Sequence, residues 1–565
     1  MHPAIATEQQ VVWAWAFEAS SIQSYIHDTG RMRDAVGASQ IVDSLCGSLE
    51  HAGVADDLLS RVLAATGEPT GVRFSRRGGG AFVALADRRE LLVLLRDLYA
   101  LGMDATAPGL DWLDALAQGA TEAEAAQAAM RRMRNARLGV AADPVEAGPW
   151  VVRNRRSGRP AIAGPRGAND FSDAATAAKR QTGAGNGTVA RWFGAPEGAQ
   201  WPLKLTPDDS DDDVAVFPFR GEQHELAFVH ADGNGLGAAL LALDQACRDV
   251  PEIYVQLHSG FSSAITRATR AAAHRASLQS LYAFDDLQDR RVPARPLVLG
   301  GDDLGIIVRP DKAFSFVAAF LRAFEDETAQ ALGVLRASFP QVKSLPDRLT
   351  AAAGIAIVDS SYPFGQAAEL AESLCAACKR AVKAEALRGT RALPLSALMF
   401  HRLTSALPFD DDDPLAGLRT TSGSESLSLV AGPYGVNSPP EGEPPSALPE
   451  FAALERLATC LAQPDGLAGP ARELLGMVGH HDEQLRARWR SARKAARRRA
   501  TAGRDPLQEF DEAMRPFGIG AAGDLPFALP NSEGVRVSPL LDALVLLRLV
   551  SQGAKATRED ASEGS

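Results

Sequence analysis

The sequence is poor in cysteine, with five in 565 residues, too few for a disulfide framework, and this favours a reducing compartment. It has no run of about twenty apolar residues, so no membrane-spanning helix is expected. Positive charge is not in excess, because the net charge is -11, and this argues against a general nucleic-acid coat protein. The first residues lack the basic and apolar segments of an export signal. These absences predict a soluble cytoplasmic protein with no membrane association.

The length of 565 residues exceeds what one hydrophobic core usually serves, so several structural units are expected. The first begins with an apolar strand at 11–17 and a helix at 22–45, followed by two strands around Gly78-Gly79-Gly80 and another helix. The predicted units are residues 10–147, a loop-rich insertion or linker at 148–220, a second unit at 221–390, a mainly helical unit at 391–552 and a disordered tail at 553–565.

The order of elements in the first unit recurs in the second. An apolar strand at 224–232 precedes a helix at 255–276, a hairpin at 296–310 and a helix at 311–332, and a further strand and helix follow. Strand, helix, hairpin and helix in this order are typical of the ferredoxin-like fold. The sequence therefore predicts an α+β protein in which a ferredoxin-like unit, called a palm in nucleotide-polymerising enzymes, occurs twice.

Three carboxylates in the second unit are the predicted catalytic residues. Asp232 ends the first strand, and Asp302 and Asp303 lie in the hairpin turn. The first and third strands of a ferredoxin-like sheet are neighbours, so these side chains should lie close together, where repulsion favours a bound cation. Two Mg²⁺ or Mn²⁺ ions, with Gly233 as an additional ligand, would suit nucleotidyl transfer from a triphosphate.

Glycines and one lysine complete the predicted site. Gly300 and Gly301 permit a tight hairpin and a close approach of nucleotide to the main chain. Glycines after Asp232 leave backbone N–H groups available to phosphates. A surface hairpin with no catalytic role also explains a Gly-Asp turn, and Lys379 is equally consistent with a solvated helix position. The predicted nucleotide-binding set is Gly233, Asn234, Gly235, Gly300, Gly301 and Lys379.

Several segments of the two palms carry a family resemblance. They resemble the large polymerase/cyclase subunit of type III CRISPR effector complexes and its standalone antiphage relatives. The segments are IQSYIHDTGRMRDAVGAS (22–39), HADGNGLG (230–237), LGGDDLGIIV (299–308), GIAIVDSSYP (354–363) and AELAESLCAACKRAVK (368–383).

The resemblance implies a degenerate first palm, a second palm with the active GGDD motif, and synthesis of cyclic oligoadenylate messengers from ATP. ATP would lie between the palms, with Gly78, Gly79 and Gly80 of the first palm as a wall. Expected partners are ATP, CRISPR effector subunits, RNA or a second copy of the chain. The basic run at 486–504 fits either a solvated helix face or an RNA contact.

The sequence also departs from the family pattern. No HD-type nuclease motif is recognisable, and the pairs His27-Asp28 and His481-Asp482 are expected at the surface. The stretch at 153–161, where relatives often carry a zinc module, has no cysteine. Cys375 and Cys378 lack a second pair and are expected to be core thiols.

Two alternatives to an adenylate cyclase remain at this stage. A GGDEF-type diguanylate cyclase has a palm of the same order, but here Asp303 and Leu304 replace its Glu and Phe, and Arg291 is followed by Ala294 where an inhibitory RxxD motif would end. A non-catalytic scaffold that binds nucleotide within an effector complex is the second alternative. A nucleotide profile distinguishes the three.

Overall fold

The computed structural model covers most of the chain. It describes residues 11–47, 57–137, 148–162, 171–183, 189–205, 215–220, 224–282, 290–389, 391, 393–404, 413–422, 425–439, 443–478, 482–500, 505–520, 525–530 and 534–549. The predicted tail at 553–565, His481 and the last residues of the basic run lie outside these ranges. Among the described helices, none combines the length and apolar character that crossing a membrane requires.

The first palm contains a four-stranded sheet in the order β2-β3-β1-β4, with β1 antiparallel to both neighbours. This is the ferredoxin-like order, and it confirms the predicted fold class. Its elements are β1 (Val12–Ala19), α1 (Ile22–His27), α2 (Met32–Cys46), α3 (Leu58–Ala65), β2 (Arg73–Gly78), β3 (Ala81–Ala86), α4 (Arg89–Thr106), β4 (Trp112–Gly119) and α5 (Glu122–Arg137).

Aromatic packing explains why the run at the start of the chain becomes a central strand. Trp15 and Phe17 of β1 are buried against Phe82 of β3 and Tyr99 of α4. The Phe17 and Phe82 rings stack with centroids 5.1 Å apart. Rings of this size contribute much of the burial in a core, and they fix the register of β1 beside β3.

The insertion is more structured than a linker. It contains α6 (Ala174–Thr182) and a short 3-10 helix at Val189–Phe193. The ammonium of Lys179 is buried in α6 and donates to the Tyr25 carbonyl at 2.6 Å and to Asp28 at 2.7 Å. These contacts attach the insertion to α1 of the first palm.

The second palm lies in a six-stranded sheet of order β12-β9-β8-β5-β7-β6. The strands β8-β5-β7-β6 repeat the ferredoxin-like order, and β9, which lies beyond the predicted boundary at residue 390, pairs parallel to β8. The elements are β5 (Glu225–Asn234), α7 (Leu236–Asp249), α8 (Tyr254–Ser280), β6 (Ala294–Gly300), β7 (Asp303–Val308), α9 (Pro310–Ser338), β8 (Thr350–Asp359), α10 (Phe364–Arg388) and β9 (Ala397–Arg402).

The C-terminal region combines helices with short strands. A small sheet of order β10-β11-β13 accompanies the helices, and β12 joins the second palm. The elements are β10 (Arg419–Ser422), β11 (Glu425–Ser428), β12 (Tyr434–Gly435), α11 (Phe451–Ala462), α12 (Ala468–Met477), α13 (Asp482–Arg498), α14 (Pro506–Met514) and β13 (Val535–Val537), and residues 540–549 are also helical.

The basic run forms most of α13, which packs against the protein along one face. Leu485 and Trp489 are buried, and the Trp489 ring lies edge-on to Phe510 of α14. Arg493 donates to both carboxylate oxygens of Asp511 at 2.6 and 2.8 Å. Several other arginines of the helix are exposed to solvent.

The two palms share a hydrophobic core. Trp15 and Tyr25 of the first palm belong to the same buried cluster as Phe228, Leu297 and Phe364 of the second. Such a shared core holds the two sheets in a fixed relation. The GGDD hairpin therefore faces the first palm.

The expectation that His27 lies at the surface is wrong. Its side chain is buried at the end of α1, and its ring lies 6.4 Å from that of Phe228, edge to face. Burial lowers the pKa of His27 to about 4, so the imidazole is neutral. Asp28, the other member of the pair, is half-buried and bonded to Lys179.

Candidate active site between the two palms

The GGDD motif forms a two-residue hairpin turn. Gly300 at the end of β6 pairs with Asp303 at the start of β7, which leaves Gly301 and Asp302 as the turn. Gly301 adopts a φ of +62°, a conformation that favours glycine. The Thr269 hydroxyl of α8 donates to the Gly301 carbonyl at 2.7 Å. The neighbouring helix therefore holds the turn.

The strand register brings the three aspartates together. Asp232 of β5 is the direct cross-strand partner of Asp303 of β7, and opposed residues of this kind have Cβ atoms about 5 Å apart. The Asp302 side chain lies over Gly233, because a Cβ built on Gly233 would be 2.8 Å from Asp302 Oδ2. The sheet thus gathers carboxylates from positions 70 residues apart at one edge.

Burial and neighbouring charge raise the pKa values of Asp302 and Asp303. Burial, followed by the charges of Asp232 and Glu372, raises the pKa of Asp303 to about 8. Burial and the charge of Asp232 also raise the pKa of Asp302. Without a cation, this part of the molecule favours protonated carboxyls.

Lys379 reaches the carboxylates directly. Its Nζ donates to Asp232 Oδ2 at 2.5 Å, and its charge lowers the pKa of Asp303 against the larger raising effects. The lysine therefore supplies a fixed positive charge beside the aspartates. Its contact with a triphosphate stays a prediction.

The carboxylate oxygens of Asp232, Asp302 and Asp303 suit a divalent cation in chemistry and charge, although they do not surround a single point as ligands of one ion would. Asp303 Oδ1 is buried and has no hydrogen-bond partner in the described chain, a costly arrangement that a cation would relieve. Among the described residues, no three His, Cys, Asp or Glu side chains are arranged to hold a metal ion. Cation binding by Asp232 therefore requires its carboxylate to share or release Lys379.

Two further polar residues near Asp303 were not predicted. His230 Nδ1 lies 3.5 Å from Asp303 Oδ1, and Glu372 acts electrostatically on both His230 and Asp303. Burial lowers the pKa of His230. Alternation along β5 places His230 two residues before Asp232, and Glu372 precedes Lys379 by two helical turns. Both spacings are signals that sequence reasoning could have used.

A cavity of 520 Å³ lies between the palms, and of the three aspartates Asp303 lines it. Gly78, Gly79 and Gly80 line one side, and Gly300 and Gly301 line the other. The hairpins approach closely, because a Cβ built on Gly300 would be 3.3 Å from the Gly79 Cα. The lining also includes Asp303, Glu372, Thr266, Arg270, Ser20 and Gln23.

Asn234 and Gly235, also predicted to bind nucleotide, are not among the residues that line the cavity. The Asn234 side chain is buried and donates to the Thr350 hydroxyl at 3.2 Å. Gly235 has a φ of +84° and precedes α7, next to Leu349 and Leu393. Gly300 and Gly301 thus line the cavity, whereas the Asn234 side chain does not reach it.

The raised pKa of Asp303 predicts a pH-dependent stability for the cation-free protein. An unfolded aspartate titrates near pH 4, so the stabilising effect of the extra proton is full below that pH and is lost as pH rises through about 8. We expect a loss of about 1–3 kcal/mol between pH 5 and 8, below the full shift because about a third of the side chain is accessible. Thermal unfolding in a chelator at several pH values measures it.

The matched variant for this measurement is Asp303→Asn, which cannot ionise. Its unfolding midpoint should fall less steeply with pH than that of the unmodified chain. Other buried acids, such as Asp542 with a pKa raised to about 7 by burial, contribute equally to both proteins and cancel in the difference. Parallel pH profiles of the two proteins would contradict the assignment.

Comparison with protein families supplies an independent observation. Residues 225–387 match the family model described as Cas10/Cmr2, second palm domain. The chain carries a Cas10/Cmr2-type palm domain. The match spans the strand with Asp232, the GGDD hairpin and the helix with Lys379, and it confirms the resemblance found in the sequence. No curated protein sequence matches the chain.

Solved structures similar to this chain include several described as Csm1–Csm4 cassettes. One, in complex with cA3, has 14% identity and a TM-score of 0.37, covering 66% of this chain and 54% of that one. Another, in complex with pppApA, has 11% identity and a TM-score of 0.43, covering 97% and 70%. The chain spans about half the length of the first of these structures.

Proposed function

We propose that this Cas10-like chain is a nucleotidyltransferase that converts ATP into cyclic oligoadenylates in antiviral defence, as part of a type III CRISPR complex or a related system. The observation that carries the proposal is that Asp303, the cross-strand partner of Asp232, lines a cavity together with a glycine-rich hairpin from each palm. Such a cavity suits a ligand whose phosphates approach main chain closely. The family match over the same residues supports it.

The residues of the chain have distinct tasks in this reaction. The glycine-rich hairpins of the two palms bring their main chains close to the triphosphate. The Thr269 hydroxyl keeps the GGDD turn in position. Asp303 and Asp232, with Asp302, would hold divalent cations, which when bound activate a ribose hydroxyl and stabilise the leaving pyrophosphate. Lys379 limits the repulsion among the carboxylates.

The deciding experiment supplies the purified chain with each of the four ribonucleoside triphosphates and Mg²⁺ or Mn²⁺. Pyrophosphate release is followed, and products are identified by mass spectrometry beside an Asp302→Ala/Asp303→Ala double variant. Cyclic adenylates that are absent from the variant are the expected result. Turnover of GTP alone would favour a diguanylate cyclase, and ATP binding without product, with and without RNA, would favour a scaffold.

A further inference from the structure

A cationic group from the middle of the chain lines the cavity wall near the GGDD turn. Arg270 of α8 lines the cavity together with Gly300 and Gly301. Its guanidinium carbon lies 3.9 Å from the centroid of the Trp192 ring, and its Nε and Nη1 atoms are buried. A guanidinium stacked on an indole is restricted in orientation, and burial strengthens its electrostatic effect.

The platform under Arg270 belongs to the insertion. Trp192 lies in the 3-10 helix at Val189–Phe193, and Val189 itself lines the cavity. The Phe193 carbonyl accepts a 2.8 Å hydrogen bond from the Tyr282 hydroxyl, which follows α8. Phe193 is fully buried beside Trp201. The insertion therefore forms a fixed part of the site.

A second guanidinium adds positive charge around the Trp192 ring. The guanidinium carbon of Arg191 lies 4.7 Å from the centroid of the same Trp192 ring, and the Arg191 side chain is exposed. Two cations around one aromatic ring make a local site for a polyanion in a chain whose net charge is -11.

We infer that Arg270, held by Trp192, binds the β- and γ-phosphates of the nucleoside triphosphate. A guanidinium offers planar, two-point hydrogen bonding that matches phosphate oxygens. The same contact would stabilise the pyrophosphate as it leaves. This inference rests on the proposed function only in taking a nucleoside triphosphate as the ligand of the cavity.

The test compares binding of α,β-methylene ATP, whose α–β bridge is not cleaved by transfer, with binding of AMP. Isothermal titration calorimetry is carried out on the full chain and on Arg270→Ala, Arg270→Lys and Trp192→Ala. Arg270→Ala should weaken binding of the triphosphate analogue about 10- to 100-fold, since charge-assisted hydrogen bonds to its phosphates are lost. Binding of AMP should weaken by less than about threefold. Arg270→Lys and Trp192→Ala should fall between.

Arg267→Ala is the matched control, because it removes the same charge from α8. Arg267 lies about one helical turn before Arg270, and its side chain is exposed. The ratio of its affinities for α,β-methylene ATP and AMP should equal that of the unmodified chain. If Arg270→Ala does not fold, Arg270→Lys provides the same comparison. An unchanged ratio in both Arg270 variants would overturn the inference. Because binding is measured without turnover, a chain that makes no cyclic product still tests Arg270 separately from the proposed function.

Discussion

Replacing Asp303 with asparagine should reduce pyrophosphate release from ATP by about 10³-fold or more while leaving the fold intact. The carboxylate lies opposite Asp232 in the register of β5 and β7, and its Oδ1 is buried with no hydrogen-bond partner in the described chain. An amide of the same shape removes a negative charge that a divalent cation requires, and losing one such electrostatic contact costs orders of magnitude in rate. Initial rates at saturating Mg²⁺ measure the effect.

Binding separates a catalytic role for Asp303 from a structural one. The variant should retain affinity for α,β-methylene ATP within about tenfold, because the glycine hairpins and Arg270 remain, and its thermal midpoint should not fall at neutral pH, where ionised Asp303 is disfavoured. Asp326→Asn is the matched control, since Asp326 of α9 is exposed and pairs with Arg275. Turnover by Asp303→Asn within tenfold of the unmodified rate would contradict the proposed chemistry.

The GGDD hairpin and its partner strand could be predicted because their signals are local. Gly300, Gly301 and the following aspartates form a turn between two apolar strands, and the order of elements identifies the strand with Asp232 as a neighbour. The wall formed by Gly78 to Gly80 followed from the family resemblance. The hairpin and its partner strand are thus determined by short segments and by fold topology.

The remaining residues of the site depend on contacts between distant segments. Trp192 lies in a stretch rich in turn-forming residues, and nothing in its local pattern indicates that it packs under Arg270 of α8. His27 is the last residue of a short helix and has a charged neighbour, which favours exposure, yet the shared core of the palms buries it. Tertiary packing overrides local preference at these positions.

The predicted core thiols show the opposite case. Cys375 and Cys378 are both buried in α10, and the Cys375 thiol donates to the Ala352 carbonyl at 3.3 Å. Burial raises the pKa of Cys378 to about 12, so it remains an unreactive thiol. The prediction followed from the position of both cysteines three residues apart on a predicted helix and from the lack of a second cysteine pair for a metal site.

Replacing Gly233 with alanine should lower the rate of ATP turnover about 100-fold through displacement of Asp302. The new Cβ would lie 2.8 Å from Asp302 Oδ2 and 2.9 Å from Asp302 Cβ, closer than van der Waals contact allows. Asp302 lies in a two-residue turn, and the Thr269 hydroxyl holds the Gly301 carbonyl of that turn. The Asp302 side chain therefore has to move away from Gly233. A displacement of about 1 Å in a catalytic constellation costs on the order of 100-fold in rate.

Gly333→Ala provides the control, because Gly333 lies within α9 and a Cβ there meets nothing within 4 Å. That substitution should leave turnover unchanged and stabilise the protein by about 0.5–1 kcal/mol through helix propensity. If Gly233→Ala alters only the apparent affinity for Mn²⁺, Asp302 acts mainly in holding cations. If it lowers the rate at saturating Mn²⁺ as well, the position of Asp302 is needed in the transition state. Unchanged turnover at every Mn²⁺ concentration would contradict a role for the contact between Gly233 and Asp302.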